Sequence, residues 1–206
     1  MGASVDCEAI GLGLLGQPVN AVSSLALVVA GLVVLRRDRW VASALTAAGV
    51  GSFLFHGPLA PGGEWIHDVT LAWLILVVGL RSLGWERRFG AVGLAAIAPI
   101  FYVAPSIADP LTVGLVVVTL FFLLSDYRGF DTSGPIALLA ISAILGRLGA
   151  SGGPWCEPGS VFQMHALWHA GAAVAVGWWV MGHTDRTPVV ELSPSQGAVG
   201  SDAELS

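Results

Sequence analysis

Charge is what this chain has least of. Only 11% of its 206 residues are Asp, Glu, Lys or Arg, whereas a soluble domain carries about 25% to cover its surface. Lysine is missing altogether, and the nine arginines form no basic block of the kind that binds nucleic acid. Cysteine is reduced to Cys7 and Cys156, too few for a thiolate-rich zinc module. No cleavable signal peptide is expected either. The opening MGASVDCEAIGLG has neither a basic n-region nor an apolar h-region, so the first helix is expected to act as its own insertion signal. Met1-Gly2 begins like a myristoylation site, but Asp6 stands where Ser or Thr is required. The net charge of -5 says little, because several acids follow His183.

What remains is apolar: 55% of residues are hydrophobic, the mean hydropathy is +0.78, and these residues fall in blocks. A bilayer core of about 30 Å takes roughly 20 residues of helix. Seven stretches meet that need, near 18–36, 40–60, 65–83, 89–105, 109–126, 134–150 and 160–182. Breakers separate them, such as Arg36-Arg37-Asp38-Arg39, Pro61-Gly62-Gly63 and the run from Gly152 to Gly159. The sixth is the least regular, being interrupted by Arg147 and several glycines. The expectation is an all-α polytopic membrane protein with seven transmembrane helices in residues 1–183. The polar tail, 184–206, is expected to be disordered. Arg36, Arg37, Arg39, Arg81, Arg87, Arg88, Arg128 and Arg186 all fall on one side of such a bundle. Because basic residues are retained in the cytoplasm, the N-terminus is expected outside the cell membrane and the C-terminus inside.

Ionisable residues within spans are costly and mark function by default. His56, Asp68, His165 and His169 are such residues, with Ser52 one helical turn before His56. His165 and His169 form HALWH, an i, i+4 pair that projects from one helix face and suits shared metal ligation. His56, Asp68 and the pair all come to the outer half of the bilayer, delivered by three separate spans. A lone membrane histidine serves equally as an interhelical hydrogen-bond donor. A third histidine and an acid at one depth favour a metal, and three His ligands with an open position are the pattern of catalytic zinc. Cys7 and Cys156 both fall outside, where disulfides persist, and read as a bridge between the first and last helices; two unlinked thiols are the alternative. His67 points about 100° away from Asp68 around the helix and is expected at the interface. His183 is remote, and Arg147 reads as a helix-end residue.

At these positions the chain resembles the alkaline ceramidases and, more broadly, the CREST membrane hydrolases, which include the adiponectin and progestin receptors. The nearest stretch is CEPGSVFQMHALWH, Cys156 to His169, followed by GSFLFHG, Gly51 to Gly57, then Asp68, then Cys7-Glu8 with Asn20 and Ser23. The resemblance implies zinc held by His56, His165 and His169, with Ser52 and Asp68 beside it, and a Cys7–Cys156 disulfide. Eukaryotic alkaline ceramidases also bind calcium through N-terminal acids. Of these Glu8 matches, Asp6 is shifted by one, and Gln17 stands where an acid is expected, so any calcium site would fall to Asp6 and Glu8.

The expected reaction is zinc-dependent hydrolysis of the N-acyl bond of ceramide or a related membrane lipid. Asp68 would act as general base then acid, and Ser52 would stabilise the oxyanion. No nucleic acid and no obligatory protein partner is expected. The rivals are a zinc-bearing receptor or sensor of the same superfamily, a hydrolase of another amide or ester lipid, a haem-ligating electron carrier, and a structural membrane protein.

Overall fold

The computed structural model describes residues 6–125 and 132–184. The expected tail beyond residue 184 lies outside the described residues, as do Arg128 and Arg186. The described chain is all-helical, with seven α-helices and a single isolated bridge between Asp6 and Ala150 in place of strands.

Local chemistry explains where the helices begin. Helix α1 (Pro18–Val34) has proline in its first turn, where no amide hydrogen is needed. Its next amides are satisfied from the preceding segment: Val19 N and Asn20 N each donate to a Glu8 carboxylate oxygen at 2.8 Å. Helix α2 (Arg39–His56) is capped by Asp38, which accepts from Trp40 N at 2.9 Å and Val41 N at 3.1 Å. It stops at His56, short of the expected 60, because Pro58 disfavours a helical conformation at Gly57. Helix α3 (Gly63–Ser82) follows Gly62, whose φ of 76° suits only glycine readily. Helix α4 (Glu86–Val103) leads through a 3-10 turn (Pro105–Ile107) into α5 (Ala108–Ser125), and α6 (Ser133–Leu148) precedes α7 (Met164–Thr184). Helix α7 starts at Met164 rather than 160. The Gln163 amide donates to the carbonyls of Ser160 at 2.7 Å and Glu157 at 3.2 Å and holds that stretch as a turn.

Helix α1 lies between α2 and α7, α3 packs on α2, α4 and α5, and α6 covers α7. The main core draws Leu27, Val41, Leu45, Val77 and Trp179 from four of these helices. Two glycines let α2 approach its neighbours. A Cβ at Gly49 would come within 2.9 Å of Ser24 O on α1, and one at Gly51 within 3.3 Å of the His67 backbone on α3.

The exterior is apolar and part of the interior is polar. Helix α1 exposes Val22, Val29, Leu32 and Val33, and α5 exposes Val113, Val117, Phe121 and Leu124. Gln17, Asn20, Ser24 and His56 are meanwhile fully buried. A soluble domain distributes these residue types the other way. By length and composition two segments among the described residues suffice to cross a membrane: α3, with 20 residues and mean hydropathy 1.4, and Pro105–Ser125, with 21 residues and 2.3. Helices α1 and α6 are apolar but have only 17 and 16 residues.

The segment before α1 is fastened across the end of the bundle where α2 stops and α7 starts. The expected bridge is present: Cys7 and Cys156 are disulfide-bonded, with their Cα atoms 5.3 Å apart. Ala9 N donates to Pro158 O at 3.0 Å, Gly16 N to Gly57 O at 2.7 Å and Gln17 N to His56 O at 2.8 Å. Asp6, Glu8 and Gln17 are thereby brought to the histidine end of α2.

Candidate metal centre

His56 comes from the last turn of α2, and His165 and His169 from successive turns at the start of α7. Their rings meet, with centroids 5.0 Å apart for His56–His165, 5.4 Å for His56–His169 and 4.6 Å for His165–His169. His56 and His169 are buried and His165 is nearly so. One ligand nitrogen from each lies within 4.8 Å of the others, the one metal-capable group of this kind among the described residues. Tetrahedral ligation by imidazoles at about 2.0–2.1 Å sets nitrogens about 3.4 Å apart, so binding an ion would draw the rings together by about an ångström.

The hydrogen bonds around the rings fix which nitrogen is offered. Gln17 Nε2 donates to Glu8 O at 2.8 Å, which turns Gln17 Oε1 toward His56 Nδ1 at 2.7 Å. An amide oxygen only accepts, so His56 carries its proton on Nδ1. Ser23 Oγ donates to Asn20 O at 2.9 Å and therefore accepts from His169 Nδ1, also at 2.9 Å. Asp6 Oδ1 lies 3.2 Å from His165 Nδ1, and Asp6 Oδ2 lies 3.6 Å from His56 Nδ1. The Nδ1 atoms of His56 and His169 are thus engaged as donors, and that of His165 lies at ion-pair distance from Asp6. All three Nε2 atoms are buried with no hydrogen-bond partner. A buried acceptor left unpaired costs about 1–3 kcal/mol, and three of them in one histidine cluster are explained together by a cation. Metal-binding histidines hold their second nitrogen in this way, against a carboxylate, an amide or a hydroxyl.

The residues singled out in the sequence divide into two groups. The triad is brought together. Ser52 is buried one turn before His56 on the same helix. Asp68 pairs with His67: its carboxylate meets His67 Nδ1 at 2.9 Å and stays partly exposed. His67, expected at the interface, instead stands beside the centre, its ring 6.0 Å from that of His56 and 5.0 Å from that of Phe55. The close approach at Gly51 accounts for this, since it lays the α3 backbone at Ile66 and His67 against α2. Asp6 and Glu8, raised as calcium ligands, have other partners here. Both Glu8 oxygens accept backbone amides of α1, and Asp6 faces two imidazoles. Burial pushes the Asp6 carboxyl up to about 6; His67 opposes the shift and Glu8 adds to it. The roles of Asp6, Gln17 and Ser23 as orienting groups escaped sequence reasoning. The signal available was their spacing just ahead of and within the first turns of α1.

Comparison with protein-family models, curated proteins and solved structures finds nothing that matches the chain. The chemistry of the centre has to carry the functional reading.

Proposed function

We propose that this chain is a seven-span, zinc-dependent membrane hydrolase that cleaves the N-acyl bond of a lipid amide such as ceramide, releasing a fatty acid and an amine. The observation that carries the reading is three histidines whose ligand nitrogens lie within 4.8 Å of one another, each with a buried, unpartnered Nε2 and an acceptor beside its Nδ1. Three neutral imidazoles and no thiolate form a donor set that zinc accepts, with a ligand position left open for catalysis. When bound there, zinc would supply a water acidified to a pKa near 7 and polarise a carbonyl oxygen.

The chain's own residues account for the rest of the reaction. Asp6, Gln17 and Ser23 hold the imidazoles in the tautomer that points Nε2 inward. Asp68, steadied by His67, accepts a proton from the attacking water and returns it to the departing nitrogen as the C–N bond breaks. Ser52 donates a hydrogen bond to the oxygen that gains charge. A lipid substrate suits the surroundings: Leu12, Leu14, Val161 and Phe162 are strongly exposed at the same end of the bundle. Their apolar side chains would lie in acyl chains rather than in water. The polar interior and apolar exterior support the membrane reading, with the centre toward the external face.

The test is a panel of N-acyl lipids and matching esters incubated with the detergent-purified protein, with released fatty acid identified by mass spectrometry. The reading expects zinc-dependent release from at least one amide. A zinc-loaded protein that releases nothing from the panel would overturn it and leave a receptor or sensor.

A further inference from the structure

At the other end of α2 lies a cleft of about 470 Å³, large enough for a small-molecule headgroup. Every residue lining it is charged except Leu35 and Trp40. Five are arginines: Arg36, Arg37 and Arg39 from the α1–α2 connection, Arg81 from the end of α3 and Arg87 from the start of α4. The two acids are Asp38 and Glu86, both buried and both turned to arginines. Asp38 uses one oxygen to cap α2 and the other to hold Arg81 Nε at 2.6 Å, which fixes that guanidinium at the cleft wall. Glu86 Oε1 stands 4.0 Å from Arg87 Nε. Arg36 and Arg39 are exposed and have no ion pair among the described residues.

Retention of positive charge on one membrane side asks only that arginines lie on that side. It does not ask that five of them, from three separate segments, line one cleft. Guanidinium groups are planar forks that match phosphate oxygens two at a time. A concave wall of one sign also concentrates its counter-ion. We propose that this cleft binds a phosphate group, presented either as the headgroup of an anionic phospholipid or as a free phosphate. It is a site separate from the histidines, about 26 Å away along α2 at 1.5 Å per residue, and it does not depend on the metal reading.

The test uses the full chain with metal bound, purified in detergent and also placed in nanodiscs. Inorganic phosphate is titrated calorimetrically against the detergent sample, with chloride as control. Thermal stability is compared between nanodiscs of phosphatidylcholine alone and nanodiscs containing phosphatidic acid. Saturable phosphate binding, weakened about tenfold or more in Arg36→Gln/Arg39→Gln, supports the site and a soluble source. Stabilisation by phosphatidic acid that the double variant loses, without phosphate binding, supports the site and a lipid source. These exposed positions leave the fold intact, checked by circular dichroism and an unchanged metal content. Phosphate and chloride acting alike with no lipid preference, or a double variant that behaves as the parent, overturns the proposal.

Discussion

At one end of α2, His56 is fully buried and faces two imidazoles from α7; at the other, Asp38 holds Arg81 beside an open, arginine-lined cleft. Both ends gather polar groups from three segments, but in opposite ways. The histidine end buries its three Nε2 acceptors beside the disulfide-fastened N-terminal segment. The arginine end keeps cationic donors in water, two of them without an ion pair among the described residues. A buried cluster of acceptors costs free energy until a donor or a cation enters it. An exposed cluster of cations is tolerated empty and becomes a site through convergence. The difference teaches that burial with orphaned acceptors is the stronger mark of a resident ligand, whereas an open cleft suits one that comes and goes.

Several substitutions would break or sharpen this contrast. The largest effect is expected from His169→Ala, which removes one of three ligands from the buried centre. Metal content should fall to background and hydrolysis with it, read by elemental analysis and fatty-acid release. Next comes Asp68→Asn, which should keep the metal and lower kcat about 10²- to 10⁴-fold; full activity in this variant would remove Asp68 from the reaction. Asp6→Asn acts through the imidazoles, so metal affinity should fall about 10- to 100-fold. Added zinc should then restore turnover, which separates an orienting role from a catalytic one. The smallest effect on chemistry is expected from Cys7→Ser. Losing the bridge should reduce stability by about 2–5 kcal/mol, seen as earlier thermal unfolding, while metal remains bound below the transition.

Much of the helical plan was legible because apolar blocks and their breakers are local features. Asp38 belongs to the breaker that precedes α2, whereas the stop at His56 beside Pro58 falls four residues short of the expected 60. HALWH was legible for the same reason, since i, i+4 spacing sets two side chains on one face whatever surrounds them. The second nitrogen of each ring was not. Asp6 and Gln17 reach the histidines because the segment before α1 folds back and is tied to Cys156, a contact across 149 positions, and Ser23 does so because α1 packs on α7. No local pattern encodes it. His67 was misplaced because the rotation of α3 against α2 is set by packing at Gly51 rather than by the angle between neighbouring residues. The bond between Asp68 and His67 was not legible either: sequence gives depth along a helix but not the partner of its side chain.

The most direct test is elemental analysis of the detergent-purified protein beside His56→Ala, each checked for retained helical content. The account predicts about one zinc per chain in the parent and none in the variant. A folded parent that takes up no zinc when it is supplied, or a variant that holds as much as the parent, would contradict it.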